Sequence, residues 1–217
     1  EKPKPLLEVL GKPILHHIWE TLPDIIDEVI LVVGYKGDMI RAYFGNEFLG
    51  RKIHYLEQHD QKGPLPALHL GRPHLENEEK FMLLFADDLY GKSDFERLLK
   101  HPRAVLVSEV EDPKRFGIVV TDREGGLQDI EEKPEDPKTN LAVTGAYVFD
   151  PKIFSYAPEA HPTGEYFLPP VIQKLARDHG VVTERASLWI PIGYPEDIEK
   201  AETILSKNFG LSGEVRQ

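Results

Sequence analysis

Short, unbroken apolar runs are the feature that most constrains how this chain can fold. The runs at 29–33 and 81–85 are apolar on both faces and too short for core helices, and the first consists of β-branched residues and leucine. Such runs are typical of parallel strands that are covered on both sides. We therefore expect an α/β protein whose sheet lies between layers of helices.

Amphipathic segments alternate with these runs along the chain. Periodicity predicts helices over 14–22, 38–44, 67–70, 93–100, 165–179 and 195–207, and further strands over 53–56, 104–107 and 147–149. Ser93 and Glu96 have the spacing of a capping box. Segments 118–121 and 127–131 flank Asp122-Arg123-Glu124-Gly125-Gly126 and predict a hairpin. The predicted fold class is α/β: a Rossmann-like, doubly covered, mostly parallel mixed sheet with an inserted antiparallel flap.

Length and composition limit the organisation further. At about 150 residues per domain, a chain of 217 residues favours one domain, here 1–207, followed by a C-terminal tail at 208–217. The sequence contains no cysteine, which excludes disulfides, thiolate zinc sites and a cysteine nucleophile.

The charge balance bears on partners. With 37 acidic and 26 basic residues, the net charge of −11 disfavours nucleic-acid backbones and anionic membranes unless basic groups cluster locally. No apolar run approaches the roughly 20 residues that span a bilayer, and no signal-peptide pattern opens the chain. We expect a soluble, cytoplasmic protein that binds neither nucleic acid nor membrane and can form a homo-oligomer.

Two adjacent carboxylates, Asp87 and Asp88, directly follow the apolar run at 81–85. In open α/β sheets, ligands bind outside the carboxyl ends of the strands. Mg²⁺ is bound through one or two carboxylates and shares the rest of its shell with substrate phosphates. The pair is therefore a candidate metal site, and a solvated turn or a helix cap is the alternative.

Two lysines, Lys4 and Lys133, each precede a proline, which biases them towards extended backbone. Either could bind an anion or be an ordinary surface lysine. The histidines show no His-x-x-x-His spacing, and there is no Gly-x-Ser-x-Gly elbow. A histidine metal site and a serine hydrolase are therefore disfavoured.

Several segments occur in a characteristic order along nearly the whole chain. They are Pro3-Lys4-Pro5-Leu6-Leu7-Glu8-Val9 with Gly11-Lys12-Pro13, Tyr55-Leu56-Glu57-Gln58 with Gly63, Leu83-Leu84-Phe85-Ala86-Asp87-Asp88, Asp112-Pro113-Lys114-Arg115-Phe116-Gly117-Ile118-Val119, Glu132-Lys133-Pro134, Asn140-Leu141-Ala142-Val143-Thr144-Gly145-Ala146-Tyr147, and Trp189-Ile190-Pro191-Ile192-Gly193 with Pro195-Glu196-Asp197. No single segment is specific. In register, they resemble the sugar-1-phosphate nucleotidylyltransferases, or NDP-sugar pyrophosphorylases, and the run at 140–147 is most similar to the glucose-1-phosphate thymidylyltransferase branch.

The resemblance implies that a nucleoside triphosphate and a sugar 1-phosphate give an NDP-sugar and pyrophosphate, with Mg²⁺ as cofactor. Such a transfer needs positioning and charge neutralisation but no protein nucleophile. The implied site comprises Asp87 and Asp88 for the metal, Lys4 and Lys133 for the phosphates, Gln58 and Gly63 for the base, Glu132 for sugar hydroxyls, and Gly117, Val143 and Tyr147 for the shape of the sugar pocket.

The chain departs from the family pattern in three places. The first strand and the glycine-rich phosphate loop are absent, and without that central strand both neighbouring strands would have unpaired backbone groups. We therefore expect about 20 further residues, one strand and one loop, before the sequence given. Pro191 stands where the family has a second metal-binding aspartate. Either Asp88 or water therefore completes the coordination shell of Mg²⁺, or the metal is bound weakly. Prolines at 64, 66, 169 and 170 replace small or polar residues near the substrates.

Two alternatives remain at this stage. Pro191 and the added prolines fit a catalytically degenerate relative that binds nucleotide or NDP-sugar as a sensor or regulatory subunit. A nucleotide-sugar-dependent glycosyltransferase would share the sheet and the acidic strand end. The Pro-Lys-Pro start, the Glu132-Lys133-Pro134 run and the lack of an Asp-x-Asp spacing argue against it.

Overall fold

A computed structural model describes residues 2–60, 62–161 and 163–208. The predicted tail at 208–217 lies outside these residues, apart from Asn208. Within the described ranges, no helix has the length and apolar character needed to cross a membrane.

The described strands are β1 (Glu8–Val9), β2 (Lys12–Pro13), β3 (Glu28–Val33), β4 (Glu47–Phe48), β5 (Arg51–Glu57), β6 (Phe81–Leu84), β7 (Asp88–Tyr90), β8 (Ala104–Glu109), β9 (Gly117–Thr121), β10 (Leu127–Glu132), β11 (Leu141–Phe149), β12 (Val182–Arg185) and β13 (Trp189–Pro191). The α-helices are α1 (Ile14–Thr21), α2 (Gly37–Phe44), α3 (Pro64–Leu75), α4 (Lys92–Leu98), α5 (Pro169–His179) and α6 (Pro195–Asn208). Short 3₁₀ turns span Lys4–Leu6, Pro113–Arg115 and Pro151–Ser155.

The main sheet has the strand order β10-β9-β11-β8-β12, and β6 also pairs with β11. The α/β class, the mixed sheet and the antiparallel β9–β10 flap are confirmed. The parallel share is smaller than predicted: β8 pairs parallel with β12 and β3 with β5, whereas β11 is antiparallel to β6, β8 and β9. The reason is that an unbroken apolar run indicates only that both faces of the strand are buried. An antiparallel strand in a covered sheet is buried in the same way, so the run does not reveal the direction of pairing.

Both faces of this sheet are buried. Along β8, Ala104 and Leu106 pack into one hydrophobic cluster, and Val105 and Val107 pack into another on the opposite face. Helices α1, α4 and α6 contribute to the first cluster and α3 and α5 to the second. Alternate residues of a strand point to opposite faces, so a sheet with apolar residues at every position needs cover on both sides. The doubly covered sheet is confirmed.

Strand β3 is less buried than its apolar sequence predicts. Only Val33 is buried, and the other residues of β3 are half-buried or exposed. Among the described residues, β3 pairs only with β5 and β6 pairs only with β11. The run at 29–33, predicted as a parallel strand covered on both sides, pairs parallel with β5 but lies at the edge of its three-stranded sheet among the described residues. The preceding strand and loop remain a prediction.

Several helix and strand boundaries differ from the prediction. Helix α3 spans 64–75 rather than 67–70, because burial of Leu65 and Leu68 outweighs the poor helix propensity of its prolines and glycine. Helix α5 begins at Pro169, not at residue 165, so both of its prolines lie in the first turn, where a missing N–H breaks no helical bond. Strand β11 begins at Leu141, six residues before the predicted start at 147.

The predicted capping box at Ser93 is wrong. Gly91 is the N-cap of α4, and no side chain caps this helix. Asp94 is fully buried and accepts hydrogen bonds from the backbone N–H of Ser187 at 3.0 Å, from its hydroxyl at 2.6 Å and from the backbone N–H of Leu188 at 3.2 Å. Arg97 donates to the same carboxylate at 2.7 Å. The acidic residue of this first turn therefore binds the segment that leads into β13 and the Arg97 side chain of its own helix, and it does not cap the helix N-terminus.

We expect Asp94→Ala to lower the free energy of unfolding by about 3 kcal/mol, because it removes a fully buried acceptor shared by the partly buried donors of Ser187, Leu188 and Arg97. Urea denaturation followed by circular dichroism measures the change. Asp136→Ala is the control, since Asp136 is exposed and an exposed substitution changes stability by about 0.5 kcal/mol or less. Equal denaturation midpoints for the two variants would contradict the assigned role.

Candidate active site

A cavity of about 450 Å³ opens beside β11, between the end of β6 and the start of β9. Many of the residues singled out in the sequence line it together: Lys4, Asp87, Asp88, Gly117, Glu132, Lys133, Val143 and Tyr147. These residues come from distant parts of the chain, so their common location follows from the strand pairing and not from local sequence.

Lys4 and Asp87 form an ion pair in this cavity, with 2.8 Å between Nζ and Oδ2. Both side chains are partly exposed, and such a pair contributes only about 0–1 kcal/mol to stability. The backbone of Lys4 is not extended as predicted: it begins a 3₁₀ turn, because the N–H groups of Leu6 and Leu7 bond the carbonyls of Pro3 and Lys4. The turn directs the ammonium group at the strand-end carboxylate.

Asp88 has a different environment from Asp87. Its Oδ2 accepts a hydrogen bond from Trp189 Nε1 at 2.9 Å, and its Oδ1 accepts one from the Ile192 N–H at 3.2 Å. Burial raises the pKa of Asp88 to about 7, and the neighbouring charge of Asp87 adds to the rise. Its two oxygens thus hold the β13 segment against the end of β6, while Asp87 presents its carboxylate to Lys4.

Glu132 and Lys133 form the opposite wall, at the end of β10. Lys133 Nζ is 3.9 Å from Glu132 Oε1, and burial raises the pKa of the Glu132 carboxyl. Lys133 has φ 45°, not the predicted extended backbone, and its N–H bonds the Phe116 carbonyl at 3.1 Å. A left-handed non-glycine residue costs about 1–2 kcal/mol and persists where surrounding contacts hold it, as the bond to Phe116 does here.

Gly117 lies directly across the β9–β10 ladder from Glu132. A Cβ at Gly117 would be 2.9 Å from Val143 Cγ2 and 3.2 Å from Glu132 Oε2. The absence of a side chain here keeps the floor of the cavity open between these two residues. Glycine is therefore required at this position by close approach and not by backbone conformation.

Strand β11 changes register between Val143 and Tyr147, with Gly145 at φ 80° packed on Phe85. Such an irregularity redirects side chains within a strand. Val143 is half-buried at the cavity, whereas Tyr147 is almost fully buried and stacks on Phe149 with ring centroids 5.5 Å apart. Tyr147 therefore supports the wall of the cavity mainly by packing, and burial raises the pKa of its hydroxyl.

The two predicted base-binding residues lie outside this cavity. Gln58 lines a second cavity of about 460 Å³ at the carboxyl ends of the parallel strands β3 and β5. Its Nε2 donates to the carbonyl of Gly63 at 3.2 Å. Gly63 has φ 95°, and a Cβ there would be 2.6 Å from the Tyr166 carbonyl oxygen. The segment at 62–66 is thus held between Gln58 and the segment that precedes α5.

The side chains of the cavity can be compared with the ligands that Mg²⁺ needs. In the described part of the chain, no three histidine, aspartate or glutamate side chains converge as a metal cage, and Pro191 has no donor atom opposite Asp88. Mg²⁺ does not need such a cage, because it is bound by one or two carboxylates together with waters and substrate phosphates. The Asp87 carboxylate fits an ion that is held mainly by its substrate.

Sequence reasoning gave no role to several residues of the cavity. Arg115, Phe116 and Asp197 were identified only as members of family-like segments. All three line the cavity. Arg115 is a cation two residues before Gly117, and that proximity is the signal that could have identified it.

Comparison with known proteins gives a consistent result. The chain matches the model of the family described as "Nucleotidyl transferase" over residues 1–208. It is 36% identical to the UTP–glucose-1-phosphate uridylyltransferase AglF of Haloferax volcanii, over 95% of this chain and 89% of that protein. It is 35% identical to the bifunctional protein GlmU of Methanocaldococcus jannaschii, over 100% of this chain and 53% of that protein. The chain thus spans about half the length of the GlmU relatives that it matches.

Solved structures show the same fold. A Bacillus anthracis protein assigned as a glucose-1-phosphate thymidylyltransferase, in complex with sucrose, matches with a TM-score of 0.81 and 26% identity, over 93% of this chain and 85% of that one. A UDP-glucose pyrophosphorylase in complex with UDP-glucose matches with a TM-score of 0.84 and 21% identity, over 95% and 91% of the two chains. The second comparison supports the architecture alone.

We expect Gly63→Ala to destabilise the protein by about 2–4 kcal/mol, since a methyl group adds close contact with Tyr166 to the strain of a positive φ. Gly180→Ala is the matched control: Gly180 has φ 72° and open space around its Cα. That variant carries only the strain of a backbone conformation that favours glycine (φ 72°, ψ 139°), about 1–3 kcal/mol. Chemical denaturation compares them, and equal losses of stability would show that the Tyr166 contact is unimportant.

Proposed function

The chain belongs to the nucleotidyl transferase family, and we propose that it transfers a nucleotidyl group from a nucleoside triphosphate to a sugar 1-phosphate, giving an NDP-sugar and pyrophosphate. The observation that carries the proposal is one cavity that joins Lys4 and Asp87 at a strand end to Glu132 and Lys133 on the opposite wall. Cations for phosphates and a carboxylate for hydroxyl groups are the two kinds of contact that a sugar phosphate needs.

The proposed reaction requires no protein nucleophile. A phosphate oxygen of the sugar 1-phosphate attacks the α-phosphorus, the bond to the β-phosphate breaks, and pyrophosphate leaves with the electron pair. The work of the protein is alignment and neutralisation of negative charge. Lys4 and Lys133, on opposite walls of the cavity, would neutralise phosphate oxygens.

The sugar end would lie by Gly117, Glu132 and Val143. The Glu132 carboxylate would accept hydrogen bonds from sugar hydroxyls, and the open space over Gly117 would admit the ring. Gln58, in the second cavity, would read the edge of the base. Tyr147 would define the shape of the sugar pocket from behind.

Asp87 would hold Mg²⁺. The ion would supply charge neutralisation at the phosphates when bound. Asp88, expected from the sequence as a second ligand, has both oxygens bonded to the β13 segment, so we assign it the support of that wall. In this arrangement Lys4 holds the Asp87 carboxylate in place at the cavity.

The direct test mixes the full-length protein with Mg²⁺, each nucleoside triphosphate in turn and glucose 1-phosphate, and measures pyrophosphate. We expect pyrophosphate and an equal amount of NDP-sugar. Nucleotide binding without pyrophosphate from any sugar phosphate would instead support a sensor that does not turn over. Release of free nucleoside diphosphate from an NDP-sugar would support glycosyl transfer.

We expect Asp87→Asn to lower kcat by at least about 100-fold, because it removes a charge at the phosphates without changing the shape of the side chain. Thermal unfolding should stay near the wild-type midpoint, since the Lys4–Asp87 pair is partly exposed. Asp136→Asn, at an exposed position, is the matched control and should retain full activity. A kcat within threefold of wild type would remove Asp87 from the mechanism.

We expect Lys133→Ala to lower kcat/KM for the sugar 1-phosphate by about 10- to 100-fold, the effect of losing a hydrogen bond to a charged group. Lys138→Ala removes an exposed lysine that pairs with Asp129 and serves as the control. Steady-state kinetics with varied sugar 1-phosphate measures both. Unchanged kcat/KM in Lys133→Ala would show that this lysine does not bind the substrate.

A further inference from the structure

Arg115 differs from the other cations of the cavity in its partners. Lys4 is paired with Asp87 at 2.8 Å, and Lys133 is 3.9 Å from Glu132. Within the described ranges, Arg115 forms no ion pair, although it lines the same cavity. An arginine offers five N–H donors in a fixed fork and no acceptor. The cavity therefore contains one guanidinium group whose donors are not taken up by a protein carboxylate.

The position of this guanidinium is determined by aromatic rings. Its central carbon is 5.5 Å from the ring centroid of Tyr194 and 5.9 Å from that of Phe116. Phe116 in turn packs edge-on against Trp189, with centroids 5.3 Å apart. Arginine stacks on aromatic faces and keeps its in-plane donors available when it does so. The rings thus restrict the movement of the guanidinium group, but they do not accept its N–H hydrogen bonds.

The backbone at Arg115 is also held. It ends the 3₁₀ turn Pro113–Arg115, and the Phe116 N–H bonds the Pro113 carbonyl at 3.3 Å. The Phe116 carbonyl accepts the N–H of Lys133 at 3.1 Å. Arg115 and Lys133 are therefore coupled through one residue, which places both cations at the same rim of the cavity.

Asp197, an acidic residue that lines the cavity near Tyr194, has other partners. Asp197 Oδ2 accepts hydrogen bonds from the N–H groups of Gly193 and Tyr194, each at 2.9 Å. Its Oδ1 is 3.5 Å from Lys200 Nζ. Asp197 thus lines the cavity with Arg115, but its oxygens contact Gly193, Tyr194 and Lys200 and form no ion pair with Arg115 among the described residues.

We propose that Arg115 is a phosphate-binding residue of this cavity, whose guanidinium donates hydrogen bonds to the oxygens of a phosphate group on the substrate, and that Tyr194 is the residue that positions it. The proposal deepens the proposed function and rests on it for the identity of the phosphate. A planar fork matches phosphate in a bidentate manner, which a lysine cannot reproduce. The phosphate belongs either to the sugar 1-phosphate or to pyrophosphate.

The kinetic test uses Arg115→Gln and Arg115→Lys in the full-length protein, with Arg123→Gln, an exposed arginine of the β9–β10 hairpin, as the charge-matched control. The forward reaction gives KM for glucose 1-phosphate, and the reverse reaction from NDP-sugar gives KM for pyrophosphate. We expect Arg115→Gln to raise one of them at least tenfold, and the one that rises identifies the source of the phosphate. Arg115→Lys should recover only part of the loss, and Arg123→Gln should match wild type. Unchanged KM values for both ligands in Arg115→Gln would overturn the proposal.

The role of Tyr194 needs its own comparison. Tyr194→Phe keeps the ring and should leave the affected KM unchanged, whereas Tyr194→Leu should raise it by a smaller factor than Arg115→Gln while thermal stability stays the same. Equal KM values in Tyr194→Phe and Tyr194→Leu would overturn the positioning role.

Calorimetry separates this proposal from the proposed function. Pyrophosphate and glucose 1-phosphate are titrated separately into wild type and Arg115→Gln. Weaker binding of either ligand by the variant supports the role of Arg115 even where no turnover is found. The role of Arg115 is overturned if both KM values are unchanged and the variant binds both ligands as wild type does. It is also overturned if both KM values are unchanged and neither protein binds either ligand. Both conclusions hold even where the wild-type enzyme is active.

Discussion

The cavity exists because two strands share one side of β11 without meeting. β6 pairs with β11 from Ala146 to Phe149, and β9 pairs with it at Ala142. Between these ladders β11 is irregular and carries Gly145 at φ 80°. The chain leaving β6 and the chain entering β9 therefore face each other across a short stretch of β11. Asp87 follows the first of these strands and Gly117 begins the second, so this gap determines which residues can meet.

The walls of the gap are held by carboxylates that bind backbone and indole N–H groups. Asp88 bonds Trp189 and Ile192, Asp94 bonds Ser187 and Leu188, and Asp197 bonds Gly193 and Tyr194. All of these contacts attach the segment around β13 to the rest of the fold. Carboxylates that accept several N–H bonds are strong acceptors and fix loop backbone. The acidic residues of this region thus form two groups. Asp88, Asp94 and Asp197 hold the backbone, whereas Asp87 and Glu132 face the cavity with lysines beside them.

The general architecture could be predicted from sequence because it depends on short-range patterns. The apolar run at 81–85 and the hairpin around Asp122-Arg123-Glu124-Gly125-Gly126 are read from neighbouring residues, and the structure has β6 and the β9–β10 flap there. The direction of pairing was not predictable, since an apolar run indicates burial but not which strand lies beside it. The role of Asp94 depends on contacts with Ser187 and Leu188, and that of Arg115 on contact with Tyr194, so nothing in their local sequence distinguishes them. The resemblance to a family allowed distant residues to be predicted as one site, because the family pattern reflects contacts between segments that are far apart in the sequence. It did not predict the left-handed backbone of Lys133, which depends on its bond to Phe116.

The net charge of −11 is compatible with the proposed binding of phosphates in the cavity, because electrostatic interactions are local in salt. At physiological ionic strength the Debye length is about 8 Å, so exposed acids elsewhere on the surface act weakly on a ligand inside the cavity. Lys4, Arg115 and Lys133 line the same cavity, and Asp87 beside Lys4 and Glu132 beside Lys133 partly offset their positive charge. A nucleic-acid backbone, in contrast, would extend far beyond these cations and meet the acidic surface along its length. Under the proposed function, cations confined to one cavity of an acidic protein would favour a short phosphate ligand over a long polyanion.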